Sequence, residues 1–386
     1  MNFEFATAQR IIFGAGKMAE LPHLAAPLGT RAAFLTGSNA ERIAPVFNLL
    51  QKCGANPAAF SITEEPTTTR LITITEQARK LGCDYVVAFG GGSVIDAGKA
   101  LAALLTNQQD LFDYLEVIGK GEPLSHAPAP CIAIPTTAGT GAEATRNAVL
   151  LSPEHRVKVS MRHPSMLPTV ALIDPELMLS MPPAVTASTG LDAFTQLLEA
   201  FTSNKANPLT DALCREGLKR VSRSILKAYT NGANLEARTD MAMGSLFSGI
   251  ALANAGLGAV HGFAGPIGGM FKAPHGMVCA SLLSAVVKTN LHALKARDPE
   301  NPALDKYVEA ALLITENPDA SINALLMWIE QLCRQMQVPG LNAFGIDASD
   351  IPTMVEKGKR AGSMKGNPIA LTDEELAQIL RESLTL

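Results

Sequence analysis

Four short apolar runs stand out in the first half of the chain: Arg31–Thr36 (RAAFLT), Asp84–Phe89 (DYVVAF), Cys131–Ile134 (CIAI) and Thr169–Ile173 (TVALI). Each is bounded by Gly, Pro or Thr, as strands buried on both faces are. Longer segments with apolar residues at helical spacing lie between several of them, among them Leu71–Leu81 and Val94–Leu105. Strand and helix in alternation predict a mostly parallel sheet with helices on its faces. After Asp174-Pro175 the pattern changes. From Met181-Pro182-Pro183 onward no convincing β-branched run occurs, and Leu191–Phe201, Asp211–Ala228 and Ala324–Met336 repeat their apolar residues at helical spacing. The expectation is an α/β domain over 1–182 and an all-helical domain over 183–386.

One stretch imitates a membrane segment. Between Asp240 and Lys288 the only formally charged residue is Lys272, so a hydropathy window flags its first part. Its eight glycines from Gly244 to Gly269, with Ser245, Ser248, Asn254 and His261 among them, weaken the apolar drive, and Pro266 is expected to interrupt any helix. Interior helices crossing near a site fit this composition better, and His261 and His275 favour the wall of a buried pocket.

Composition narrows the partners. With 386 residues, 47% of them hydrophobic, the chain has material for two cores. Its 32 basic and 36 acidic residues leave a charge of −4, which argues against nucleic acid or an anionic membrane as partner. Cysteines at 53, 83, 131, 214, 279 and 333 form no CxxC pair. They read as buried thiols of a reduced, cytoplasmic protein, with no leader segment expected.

The sharpest local motif is DYVVAFGGGSVIDAGKALAALL, where a buried strand runs through Gly90, Gly91, Gly92 and Ser93 into an amphipathic helix. Glycines at a helix N-terminus leave backbone N–H groups and the positive dipole end open to an anion, and a pyrophosphate suits them. Three glycines also make a tight turn, and Ser93 with Asp96 has the spacing of a capping pair. A second loop, Pro135-Thr136-Thr137-Ala138-Gly139-Thr140-Gly141, follows the run at Cys131. Two strand ends are then available for one extended ligand, as in Rossmann-like dinucleotide-binding sheets, although the triple-glycine loop is not a GxGxxG.

In order along the chain, GGGSVIDAGKA, PTTAGTGAEATRNAVL, ALIDPEL, TGLDAFTQLLEAF and NAGLGAVHGFAGPIGGMFKAPHG resemble the iron-containing (group III) alcohol dehydrogenases. With RIIFGAGKM at the start and KGNPIALTDEELAQIL near the end, the likeness runs over essentially the whole chain. It implies an N-terminal nicotinamide-dinucleotide domain, a C-terminal helical domain, catalysis between them, and a homodimer or larger homo-oligomer. It also implies that Gly91, Gly92, Ser93 and Asp96 line the pyrophosphate, with Thr136, Thr137, Thr140, Asn147 and Lys158 around the rest of the cofactor. Many NAD-specific relatives carry an aspartate after the strand that corresponds to RAAFLT. This chain has Gly37, Ser38 and Asn39 there. Without a carboxylate a 2′-phosphate is not repelled, so NADP is expected to be accepted alongside NAD.

The family holds its metal with an aspartate and a histidine four residues apart on one helix, plus two histidines from the glycine-rich region. Residues at i and i+4 project from one helix face and can grip one ion. The matching positions are Asp192, Gln196, His261 and His275; a further family histidine is Gly265 here. Gln196 offers a neutral amide oxygen in place of an imidazole, so Fe or Zn is expected to bind more weakly. If the ion is held, it polarises a carbonyl while hydride passes between NAD(P) and a small alcohol, aldehyde or ketone. If it is lost, His261 or His275 must stabilise the developing charge by hydrogen bonds, as in the related maleylacetate reductases, which reduce an oxo acid without metal. Those relatives differ at the aspartate position, which this chain retains. A dehydroquinate-synthase-like lyase is a further alternative, disfavoured by the scarcity of basic residues near His261 and His275, and a cofactor-binding protein with little turnover is another. Phe194, Phe263, Met270 and Phe271 are candidate pocket walls, and Arg146 or Lys158 candidate anchors for an anionic substrate tail.

Overall fold

The protein's structure, a computed structural model, describes residues 2–155 and 157–385. It divides into two compact units: one of residues 6–137 and 141–179, the other of residues 180–386 with 1–5 and 138–140.

Among the described residues the first unit has eight strands, β1 (Arg10–Phe13), β2 (Ala32–Thr36), β3 (Ala58–Ser61), β4 (Tyr85–Gly90), β5 (Cys131–Pro135), β6 (Asn147–Ser152), β7 (Val157–Arg162) and β8 (Val170–Ile173). Six of them form a wholly parallel sheet in the order β1-β8-β5-β4-β2-β3. Helices α1 (Leu21–Ala25), α2 (Ala40–Lys52), α3 (Thr68–Lys80), α4 (Gly92–Thr106) and α5 (Leu111–Tyr114) lie in the same unit, with short 3-10 turns between its elements. The predicted runs are the inner strands. Every residue of β2, β4, β5 and β8 is buried, because helices cover both faces and leave no place for a polar alternation. The sequence reading passed over β1 and β3 at the sheet edges and the antiparallel hairpin of β6 and β7. β6 is buried only at every second residue, so it presents no continuous apolar run.

Chain order reverses beside β2. From β2 the chain moves outward to β3, then returns to place β4 on the other side of β2. The carboxyl ends of β2 and β4 therefore flank the switch point of the sheet, where open α/β sheets leave a crevice for ligands. Gly37–Asn39 follow β2 and Gly91–Ser93 follow β4.

The second unit is all-helical, as its periodicity predicts: α6 (Pro183–Thr202), α7 (Pro208–Thr230), α8 (Leu235–Ala255), α9 (Ala259–Met270), α10 (His275–Arg297), α11 (Ala303–Thr315), α12 (Ile322–Gln335), α13 (Ile351–Arg360) and α14 (Asp373–Ser383). Helices α6, α7 and α8 pack on one another, and α10 lies against α6 and α9. α10 is long and apolar enough to cross a membrane, yet 72% of its most apolar window is buried inside the protein, as in a core helix. Pro266 sits inside α9 and does not end it. A proline removes one intrahelical donor, and α9, packed against α10 and α13, continues for another turn.

Candidate functional site

In the first unit the candidate cofactor residues gather at strand ends. Gly91 stands at the N-cap of α4 in extended backbone, and no side chain caps this helix. Ser93 lies inside the first turn, so the serine-acid capping pair is not formed. The first N–H groups of a helix have no intrahelical partner, which leaves this turn open to an anion. Gly91, Gly92 and Ser93 are half-exposed. The end of β5 adjoins them: the Thr136 N–H donates to the Gly90 carbonyl at 2.9 Å, and a Cβ on Gly91 would come 3.4 Å from Thr137 Oγ1.

Other expected cofactor residues have protein partners. Asp96 accepts from the Val149 N–H at 3.0 Å and pairs with the buried Lys99 at 2.9 Å, which docks β6 on α4. Lys99 also donates to Thr145 Oγ1 at 2.7 Å and to the Asn147 carbonyl. Lys158 Nζ meets Glu65 Oε1 at 2.5 Å. Asn39 caps α2, its side chain accepting from the Arg42 N–H; Ser38 and Asn39 are exposed, and nothing lies within 4 Å of a Cβ placed on Gly37. Thr140, with Ala138 and Gly139, groups with the helical unit.

In the helical unit, three helices bring four ligand-type side chains together. Asp192, Gln196 and Glu199 share one face of α6 at i, i+4 and i+7. His261 is the third residue of α9, and His275 opens α10 with Cys279 one turn further on. One ligand atom each from Asp192, His261, His275 and Cys279 lie within 4.8 Å of one another. Asp192 Oδ1 is 3.3 Å from His261 Nε2 and 3.7 Å from His275 Nε2. Cys279 Sγ is 3.7 Å from His261 Nε2 and 3.8 Å from His275 Nε2.

Local packing explains why these helices begin where they do. Glu199 reaches from α6 to the start of α9: Oε1 accepts the Val260 N–H at 2.7 Å, and Oε2 lies 2.7 Å from His261 Nδ1. Asn367, from the closing motif, accepts the Ala259 N–H at 3.1 Å. A Cβ at Gly258 would stand 2.9 Å from both side-chain oxygens, and a Cβ at Gly276 only 2.0 Å from the Ser188 carbonyl of α6. The glycine that follows His275 thus lets α10 start against α6.

Gln196 takes a different place from the expected ligand. Its amide nitrogen is 3.3 Å from Asp192 Oδ2, and its oxygen accepts from Ser248 at 3.0 Å. Those contacts place it beside the aspartate, one helical turn along the same face of α6. Cys279 and Glu199 escaped the sequence reading, although Cys279 follows His275 at the i+4 spacing already used to pair Asp192 with residue 196. Nothing lies within 4 Å of a Cβ on Gly265. Phe194 and Phe263 are fully buried, the Phe194 ring tilted against Trp328 at 4.9 Å between centroids; Met270 and Phe271 are half-buried.

The electrostatics suit a cation. Burial alone would raise the Asp192 carboxyl, but the charges of His275 and His261 and hydrogen bonds from His261 and Cys279 hold it below its ordinary value. Burial pulls His261 down, and Cys279, Asp192 and Glu199 outweigh it and lift the imidazole well above its usual range. His275 is raised chiefly by Cys279, against burial and helped by Asp192. A site that draws protons onto two buried imidazoles offers the same attraction to a divalent ion. With Glu199 on Nδ1, His261 has Nε2 turned to the cluster, the carboxylate–histidine arrangement that orients metal ligands. The donor set therefore fits a metal.

Comparison with known proteins accounts for both halves of the chain. The family described as iron-containing alcohol dehydrogenase matches residues 8–175, and the C-terminal part of the Fe-containing alcohol dehydrogenase family matches residues 186–384. A 1,3-propanediol dehydrogenase of Klebsiella pneumoniae is 33% identical, the alignment covering 99% of this chain and 98% of that one. The crystal structure of a 1,3-propanediol oxidoreductase superimposes with a TM-score of 0.91 at 32% identity, over 99% of this chain and 100% of the other. A sulfoacetaldehyde reductase from Bifidobacterium kashiwanohense, solved in complex with NAD+, gives 0.88 at 27% identity, over 100% and 99%.

Proposed function

The chain belongs to the iron-containing alcohol dehydrogenase family, and from that premise we propose that it transfers a hydride between NAD(P) and a small alcohol or its aldehyde or ketone. The observation that carries this reading is the convergence of Asp192, His261 and His275, three residues 14 to 83 positions apart, on one cluster. A divalent metal bound there supplies Lewis-acid polarisation of a substrate oxygen.

The side chains divide the remaining work. Glu199 holds His261 in one orientation, and Gln196 holds Asp192. The His275 side chain is 33% exposed whereas those of Asp192 and His261 are 2% and 6% exposed, so a substrate oxygen approaches from the His275 side. The buried aspartate and His261 keep water away from the ligand atoms behind it. In the other unit, first-turn N–H groups at Gly92 and Ser93 and the hydroxyls of Thr136 and Thr137 are suited to a pyrophosphate. Gly37, Ser38 and Asn39 carry no negative charge against a 2′-phosphate, so NADP is accepted alongside NAD. With Lys272 as the only charged residue between Asp240 and Lys288, the substrate is an uncharged or lightly polar small molecule.

The test is turnover of an aldehyde panel with NADPH and NADH, using protein purified without chelator, then stripped with EDTA and reloaded. Stripping, or Asp192→Asn, is expected to lower kcat/KM by about a thousandfold, the scale of a lost Lewis acid worth several kcal/mol. Undiminished turnover by metal-free protein would transfer the catalytic role to imidazole hydrogen bonding. Absence of turnover with every aldehyde under every metal would end the proposal.

A further inference from the structure

We infer that Cys279 is a metal ligand of this chain, completing with Asp192, His261 and His275 a four-sided thiolate–carboxylate–bis-imidazole site that selects a zinc-type ion over ferrous iron. The inference rests on the reading above, that this cluster holds a divalent metal.

Geometry carries it. Around a tetrahedral zinc with ordinary bond lengths, neighbouring N and O ligands stand about 3.4 Å apart and N and S ligands about 3.6 Å apart. The distances here are 3.3 and 3.7 Å from Asp192 Oδ1 to the two Nε2 atoms, and 3.7 and 3.8 Å from Cys279 Sγ to the same nitrogens. Such spacings are those of donors arranged around a common centre. The two helix pairs are also alike in construction: Asp192 and residue 196 lie one turn apart on α6, and His275 and Cys279 one turn apart on α10. Where the first pair has an amide turned to Ser248, the second supplies a sulfur aimed at both imidazoles.

The plain alternative is a small buried hydrophobe, and the other buried cysteines show what that looks like. Cys131, Cys214 and Cys333 are buried and belong to no group of ligand-type side chains among the described residues. Desolvation pushes the Cys131 and Cys333 thiols up to about 12. Cys279 is as deeply buried yet faces two imidazoles and a carboxylate. Binding is balanced by loss to solvent of the thiol proton and of any proton carried by the imidazole nitrogens that turn to the metal, so uptake releases protons. A thiolate is a soft donor that favours zinc over ferrous iron. Four protein ligands also leave no vacant tetrahedral position, so substrate must enter as a fifth ligand.

Cobalt(II) loaded into the metal-stripped, full-length protein reports sulfur directly, through an intense thiolate-to-cobalt band in the near ultraviolet. The band is expected in the parent chain and in Gln196→Ala, and is expected to vanish in Cys279→Ser while cobalt stays bound. Zinc affinity in Cys279→Ser should fall by about 100-fold or more, beyond the range for outer-shell changes, and ferrous affinity by less. X-ray absorption of the zinc-loaded parent should show one sulfur at about 2.3 Å, a measurement that stands even if Cys279→Ser fails to fold. Bound metal with no sulfur signal would overturn the role of Cys279 and leave the metal site intact. Failure of the parent to take up cobalt or zinc would overturn both.

Discussion

Asp192 and Glu143 are equally deep, each 2% exposed, yet their proton affinities move in opposite directions. Burial pushes Glu143, in the sheet unit, up to about 7, against the weaker pull of its own backbone N–H and of Lys99. Burial acts on Asp192 as well, but two imidazoles and a thiol overcome it. Desolvation is common to both, so the difference lies in their partners. Lys99 is already shared among Asp96, Thr145 and the Asn147 carbonyl and has little left for Glu143. In the helical unit a buried carboxylate is surrounded by groups that share its charge, whereas the buried Glu143 of the sheet unit has only its own backbone N–H and a distant, already occupied lysine.

Glu143 allows that contrast to be broken in a stability measurement. Its folded-state pKa lies above the ordinary 4.5, so between these values the folded chain keeps a proton that the unfolded chain has lost. Its contribution is present in acid and fades as pH rises from about 4.5 through about 7, a loss of about 3 kcal/mol. Glu143→Gln carries no such charge. Denaturant melts at about pH 5 and about pH 8 should show the parent losing more stability than the variant across that interval. Equal losses would mean that Glu143 is ionised in the fold and has a partner as effective as those of Asp192.

The same contrast explains what was legible in advance. The parallel sheet and the glycine turn after β4 could be read because each is local: Tyr85–Gly90 is buried throughout, and the loop follows it directly. The β6–β7 hairpin could not, because its alternating burial needs α4 beneath it. Asp192, His261 and His275 were found through whole motifs, not through periodicity. How Gln196 is turned depends on Ser248, 52 positions away, and no spacing rule contains that. Cysteines counted for CxxC pairs conceal Cys279, whose partner is a histidine. Glu199 was visible in TGLDAFTQLLEAF, but its use required the start of α9 to come within 2.7 Å.

Glu199 sharpens the comparison from the helical side. One carboxylate serves both the Val260 N–H and His261 Nδ1, and Glu199→Gln has a single oxygen for the two donors. Metal affinity is expected to fall 10- to 100-fold, roughly the range for outer-shell partners of a ligating histidine, measured by competition with a chromophoric chelator. KM for the aldehyde should rise more than kcat falls once metal is saturating. An unchanged metal affinity would reduce Glu199 to a helix cap.

The smallest effect is expected where the sheet unit is least charged. Nothing lies within 4 Å of a Cβ on Gly37, and its φ is not in the left-handed region, so Gly37→Asp should fold normally while placing a carboxylate after β2. In a dinucleotide site that carboxylate accepts hydrogen bonds from an adenosine ribose and repels a 2′-phosphate. The ratio of kcat/KM for NADPH to that for NADH should then drop by about tenfold, one charge–charge contact at about 1.4 kcal/mol in a solvent-exposed place. The drop should shrink in high salt, because exposed charges are screened. A parent enzyme that already prefers NADH strongly, or a variant whose ratio does not move, would show that the turn after β2 does not meet the ribose, and that cofactor choice is made elsewhere in the unit.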